Sequence, residues 1–139
     1  MTENRLIDDI SEALREMGSG RVLSPEEAKA FVSKIADAYD MDLQSISPWE
    51  KQEGVAYPYN DPSEWGLLLS SILGVFTGDV YLVVSNDSPF PWPVIVLSVD
   101  DVQTLLLELP HFEFFVFDDE GERVVFDTHY NELIIVEKP

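Results

Sequence analysis

The sequence contains no cysteine and very few basic residues. Its 139 residues include 8 Lys or Arg against 27 Asp or Glu, which gives a formal net charge of -19. Without cysteine the chain forms no disulfide, no thiolate nucleophile and no Cys-ligated metal site. Without clusters of Lys and Arg it lacks the groups that bind nucleic-acid phosphates and anionic membranes. We therefore expect neither a nucleic acid nor a membrane as the partner of this protein.

Long apolar runs are also missing. No stretch approaches the 18 apolar residues of a membrane-spanning helix. The first nine residues, MTENRLIDD, carry acids where a secretory signal has basic residues, so we expect a cytoplasmic location. The hydrophobic content of 45% nevertheless predicts a packed core despite the high charge, and the length suits a single domain.

The few basic residues are unevenly distributed. The 71 residues from Gln52 to Glu122 carry 13 Asp or Glu and not one Lys or Arg. Acids that are not neutralised locally repel one another and oppose the compact state, so this charge calls for an explanation beyond folding. A basic partner is one explanation, and general solubility is the alternative.

Apolar periodicity and capping residues predict four helices. The first has an apolar stripe from Leu6 to Met17, and the second begins at Ser24 with a capping box. The third begins at Asp61 and the fourth at Ser98, both with cap signatures. Residues 1–40 are thus predicted to be a helical N-terminal part.

The remainder predicts a long loop followed by mixed helix and sheet. Residues 41–60 show no periodicity and accumulate aromatic residues, and a loop of this length is more often functional than a simple connection. Residues 61–139 contain five strand-like segments, at 80–84, 94–97, 112–117, 123–127 and 133–136. We predict a single α+β domain with its N-terminal helices packed on a mainly antiparallel sheet of about five strands, covered by helices on one side.

Two groups of residues raise the question of catalysis or metal binding. Asp127, His129 and Asn131 would share one face if the segment were extended, and a carboxylate beside an imidazole is the pair that orients general bases and metal ligands. The alternative is structural, since His129 and Asn131 also suit the backbone of a hairpin turn. The acids at 100–101 and 118–120 could attract a cation, but a helix cap and a solvated turn explain them. We predict no catalytic residue, no metal and no cofactor.

One acid falls in a strand that the pattern predicts to be interior. Glu113 stands among large apolar residues, and a buried carboxylate needs a partner. The nearest base in the sequence is Arg123, across the predicted hairpin, so we expect these two residues to pair.

Aromatic residues beside acids in the predicted loops are the strongest candidates for binding. Large rings presented next to carboxylates suit Arg and Lys side chains through ion pairing and cation–π contact. The predicted partner contacts are Glu50, Glu53, Tyr57, Tyr59, Asp61, Asp87 and Trp92.

The C-terminal part also resembles a known class of proteins. The stretch Phe112–Asp118 followed by Val124–Leu133, with the upstream strand Val80–Val84 and Pro91-Trp92-Pro93, is similar to small acidic bacterial immunity proteins of polymorphic and contact-dependent toxin systems. The similarity covers about a fifth of the chain. It implies a cytoplasmic protein that neutralises a toxin domain by binding, without chemistry of its own.

The sequence therefore favours a non-catalytic acidic protein-binding module that inhibits a basic, nuclease-like toxin domain. The alternatives are a small hydrolase or metal-dependent enzyme centred on Asp127 and His129, and a structural domain whose acidity serves only solubility.

Overall fold

A computed structural model describes residues 2–44, 49, 52–85, 90–109, 112–128 and 131–138, and within them the chain forms four helices and seven strands. The helices are α1 (Thr2–Met17), α2 (Pro25–Tyr39), α3 (Pro62–Leu73) and α4 (Val99–Glu108). The strands are β1 (Arg21–Val22), β2 (Val55–Pro58), β3 (Asp79–Val83), β4 (Val94–Ser98), β5 (Phe114–Phe117), β6 (Arg123–Asp127) and β7 (Glu132–Glu137). The predicted single α+β domain is confirmed. None of the described helices is both long and apolar enough to cross a membrane.

Local capping interactions explain where three of the helices begin. Ser24 accepts a hydrogen bond from the backbone N–H of Glu27, whose carboxylate accepts one from Ser24 in return. Asp61 caps α3, and Ser98 caps α4 by accepting from the N–H of Asp101. Because each bond joins residues only three apart, the sequence is sufficient to predict these helix starts.

The seven strands form one antiparallel sheet in the order β1-β4-β3-β5-β6-β7-β2. The predicted C-terminal meander is present as β5, β6 and β7. The two additional strands are the edges, β1 and β2, and β2 lies within residues 41–60, which the sequence predicts to be a loop. Both are short, and each exists only by pairing with a strand that is distant in the sequence.

Helices cover both faces of the sheet, so the expectation of cover on one side is wrong. Helices α1, α3 and α4 pack with Phe114 and Val116 in one core, and α2 packs with Phe115 and Phe117 in a second core. Successive residues of a strand point to opposite faces. A strand that is apolar on both faces therefore requires a helix layer on each side.

The register also overturns the expected pairing of Glu113 with Arg123. Arg123 begins β6 at the turn that follows β5, whereas Glu113 precedes β5 at the other end of the hairpin. Arg123 instead lies 3.8 Å from the carboxylate of Glu137, its partner on β7. Glu113 is buried near the opposite end of the sheet, on the side where β6 ends.

Candidate functional site

A buried carboxylate organises the end of the sheet where β6 finishes. Asp127 is 0% exposed, and each of its two carboxylate oxygens accepts a hydrogen bond from an aromatic side chain. The hydroxyl of Tyr59 donates to Oδ1 at 3.1 Å, and the indole Nε1 of Trp65 donates to Oδ2 at 2.9 Å. Since Tyr59 follows β2 and Trp65 lies in the first turn of α3, these bonds fasten the connection between β2 and α3 to the centre of the fold.

The same environment keeps Tyr59 protonated. Burial raises the pKa of its hydroxyl above the ordinary value, and the negative charge of Asp127, the hydrogen bond to it and the charge of Glu113 act in the same direction. The phenol thus remains a hydrogen-bond donor throughout the physiological pH range.

This geometry bears on the alternative hypothesis of an enzyme centred on Asp127. The carboxylate is enclosed, and the hydrogen bonds that it accepts from Tyr59 and Trp65 give it a structural role. His129 lies outside the described residues, so its contribution stays a prediction. No group of three His, Asp or Glu side chains in the described part of the chain is arranged to hold a metal ion.

A groove of about 380 Å³ opens beside this network, between the start of α3 and the end of α4. We call it the α3–α4 groove. Its walls are apolar and are formed by Pro62, Trp65, Leu106, Leu107 and Leu109. Leu107 is 52% exposed, so this part of the apolar wall faces solvent. The groove therefore presents apolar surface to solvent at the edge of the packed core.

The rim of the groove is polar and is held by hydrogen bonds. Asp61 accepts from the N–H of Glu64 at 2.9 Å, and the carboxylate of Glu64 accepts from the N–H of Asn60 at 2.7 Å. Across the rim, the carbonyl of Asn131 accepts from the N–H of Tyr59 at 2.9 Å. Among the described residues that line the groove, none is a Lys or Arg, and Asp61 supplies a negative charge.

Three of the predicted contacts occupy the solvent-exposed chain that leads to this groove. Glu53 and Tyr57 are exposed before and within β2, and Asp61 is exposed at the groove rim. Tyr57 is 37% exposed on the edge strand of the sheet. These residues remain available to a partner.

Two other predicted contacts are buried, so the expectation that their side chains lie on the surface is wrong. Tyr59 is only 9% exposed because its hydroxyl is directed to Asp127, although part of it lines the groove. Trp92 is 2% exposed and belongs to the core on the α2 side, with its ring edge-to-face with Phe115 at 5.8 Å. Glu50 and Asp87 lie outside the described residues.

The sequence-based prediction missed the leucines that form the groove wall. Leu105, Leu106 and Leu107 are consecutive, and consecutive helical residues are about 100° apart around the axis. One of the three must therefore turn away from a core that the other two enter. That signal is present in the sequence, and the structure shows that the outward leucine is Leu107.

A second acidic surface differs from the groove in having cations beside it. The turn between β5 and β6 places Asp118, Asp119 and Glu120 in a pocket with Arg123, and Lys138 lines the adjoining pocket. The hydroxyl of Tyr81 donates to Asp119. This turn is therefore partly neutralised by the chain itself, whereas the groove is not.

Comparison with known proteins identifies no relative. No family model matches the chain, no curated protein matches its sequence, and no solved structure matches its fold.

Proposed function

We propose that this protein is a non-catalytic inhibitor of the bacterial immunity type, which acts in the cytoplasm and neutralises a basic, nuclease-like toxin domain by binding to it. The observation that carries the proposal is the combination of exposed apolar and acidic side chains around the α3–α4 groove, in a part of the sequence that has no Lys or Arg from residue 52 to residue 122.

An exposed leucine of the groove wall supplies the apolar centre of this surface. Leu107 on α4 is 52% exposed. Helices α3 and α4 are neighbours, since a methyl group placed on Gly66 would lie 3.4 Å from the side chain of Leu107. Apolar contacts at the centre of an interface supply much of its affinity.

Exposed acidic side chains belong to the same part of the fold. Asp61, Glu64 and Glu108 are exposed on or beside α3 and α4, and the described part of these two helices carries no base. Opposite charges at an interface accelerate association by about 10- to 10³-fold at low salt and exclude like-charged partners. An apolar centre with an acidic periphery thus suits a basic protein.

A second copy of this chain is a poor occupant of the surface. Each chain carries a formal charge of -19, so pairing two acidic surfaces brings like charges together. A nuclease-type toxin has the opposite property, because its active site must hold phosphate groups with Lys and Arg. Carboxylates placed on such a site imitate the phosphates and block access to it.

Pull-down from the native host, followed by measurement of association rates at increasing salt, tests the proposal. We expect a basic partner whose association slows steeply with salt. Glu108→Lys should slow association, whereas the matched variant Asp37→Lys should not, because Asp37 is an exposed acid in the last turn of α2 on the other side of the sheet. A neutral partner, or association that is indifferent to salt, would refute the proposal.

A further inference from the structure

We infer that the α3–α4 groove is a binding site for a single arginine side chain of the partner. The inference rests on the proposed function for the identity of the partner, and it adds the residue type that enters the groove and the groups that hold it.

The size and the walls of the groove suit one long side chain. Its volume of about 380 Å³ is near the lower end of the range of ligand pockets, roughly 300–1,000 Å³. Pro62, Leu106, Leu107 and Leu109 form apolar walls that match the methylene stem of an arginine. The guanidinium group at the end of that stem then lies at the polar rim of the groove.

The rim offers acceptors that match a guanidinium group. Asp61 carries a carboxylate, and the two other polar residues of the rim, Asn60 and Asn131, carry amide side chains that can accept hydrogen bonds. A guanidinium carries five N–H donors in a plane, whereas a lysine ammonium is a compact charge that prefers its hydration shell. Several acceptors around an apolar groove therefore favour arginine over lysine.

The groove is already rigid before a ligand enters it. Two of its lining residues, Tyr59 and Trp65, are held in position because both donate to the buried Asp127. At the rim, Asp61 is fixed by its bond from the N–H of Glu64. Binding thus requires little additional ordering of the protein, which reduces the entropic cost of association.

The chain provides an internal reporter for the test. It has three tryptophans, and Trp65 lines the groove while Trp49 and Trp92 belong to the core on the α2 side of the sheet. Titration of the full chain with N-acetyl-arginine amide, followed by the ¹⁵N–¹H indole resonances, should shift the Trp65 signal and leave the other two unchanged. Trp65→Phe assigns the signal.

Two uncharged ligands distinguish arginine from other occupants. N-acetyl-citrulline amide has nearly the same shape without the charge, and we expect it to bind about tenfold more weakly, since one charged contact of ordinary strength changes affinity by about that factor. N-acetyl-norleucine amide tests an apolar anchor. Equal binding of either ligand, or the absence of any shift of Trp65 with the arginine derivative, would overturn the inference.

A protein variant separates the charge of Asp61 from its structural role. Asp61→Asn keeps a good N-cap for α3 and removes the charge, so we expect the fold to be kept with only a small loss of stability, and about tenfold weaker binding of the arginine derivative. Asp100→Asn, in the first turn of α4 and away from the groove, should bind as the wild type does.

The result is separable from the test of the proposed function. If a basic partner binds with strong salt dependence but Asp61→Asn binds it as tightly as the wild type, the arginine site is refuted and the proposed function stands. If the arginine derivative binds in the groove but the protein captures no basic partner, the proposed function fails and the site stands.

Discussion

The indole nitrogen of Trp65 donates a 2.9 Å hydrogen bond to the carboxylate of Asp127, and the two residues are 62 positions apart in the chain. Tyr59 donates to the other oxygen of the same carboxylate. Asp127 is the last residue of β6, and its two hydrogen bonds join the end of this strand to the start of α3 and to the segment between β2 and α3. The groove that we assign to partner binding is built directly on this junction.

The first prediction tests the contribution of this junction to stability. Tyr59→Phe removes a buried donor to a carboxylate, and we expect a loss of about 1.5–3 kcal/mol in the free energy of unfolding. Tyr57→Phe is the matched control, because Tyr57 is exposed on β2 and a surface change of this kind alters stability by less than about 0.5 kcal/mol. Urea unfolding of the two variants measures the difference. Similar stabilities for both variants would show that the hydrogen bond contributes nothing.

The second prediction compares Gly54, where an added Cβ has no room, with Gly66, where an added Cβ fits. A Cβ on Gly54 would collide with the carbonyl oxygen of Ile135 in β7, and a backbone atom cannot move aside as a side chain can. Gly54→Ala should therefore displace β2 and destabilise the protein by about 1–3 kcal/mol. Gly66 lies inside α3, where a Cβ would meet only the end of the Leu107 side chain at 3.4 Å.

Gly66→Ala should stabilise the protein by about 0.5–1 kcal/mol, because the added Cβ fits and alanine has a higher helix propensity than glycine. Thermal unfolding ranks the stabilities of the variants. Hydrogen exchange at Tyr57, which is paired with Leu133, reports whether β2 has separated from β7, because the Tyr57 N–H faces β7 as the Tyr59 N–H does. A Gly54→Ala variant with wild-type protection at Tyr57 would contradict the close approach.

These examples show which parts of the fold were predictable from the sequence. The four helices depend on caps and stripes within short segments, and the predictions hold for all of them. The edge strand β2 was missed because its four residues, Val55–Pro58, include a proline and form a strand only when β7 lies beside them. A strand defined by a distant partner leaves little local signal.

The candidate site was predictable only in part for the same reason. Tyr57 and Asp61 are both predicted to be exposed contacts, Tyr57 in the loop of residues 41–60 and Asp61 at the start of the third helix, and both are exposed in the structure. The burial of Tyr59 depends on Asp127, 68 residues later, and the burial of Trp92 depends on its packing with Phe115. An aromatic residue in a predicted loop has the same local sequence signal whether its ring is exposed or packed.

The third prediction concerns alkaline pH. Burial, followed by the charge of Asp118, raises the pKa of Tyr39 to about 12, and burial with the hydrogen bond to Asp119 raises the pKa of Tyr81 to about 12. The pKa of Tyr59 is raised as well. In the unfolded chain these groups lose their protons near pH 10. Their contribution to stability is therefore complete below about pH 10 and is lost as the pH rises through the folded-state values.

Phenolate absorbance and urea unfolding measured across this pH range test the prediction. Tyr39, Tyr59 and Tyr81 should ionise late in the folded protein, and the free energy of unfolding should decline above about pH 10. Tyr81→Phe should remove one late-ionising tyrosine from the phenolate titration. Ionisation of all five tyrosines together near the ordinary value in the folded protein would contradict the burial of these hydroxyls.

The fourth prediction separates acids that serve the fold from acids that serve a partner. Glu108 lies in the last turn of α4, where a negative charge opposes the helix dipole, and Glu64 lies in the first turn of α3, where it is favourable. At low salt Glu108→Gln should raise the free energy of unfolding by about 0.3–1 kcal/mol, and Glu64→Gln should lower it by a similar amount. Both differences should shrink at high salt because the charges are exposed.

The comparison also tests the explanation that the acids serve only solubility. Solubility requires negative charge but does not require it at the end of a helix, where it costs stability. If Glu108 is placed for a basic partner, Glu108→Gln should be more stable than the wild type and should associate with that partner more slowly, because electrostatic steering is weakened. A variant that gains stability and associates at the wild-type rate would assign Glu108 to solubility and remove it from the binding surface.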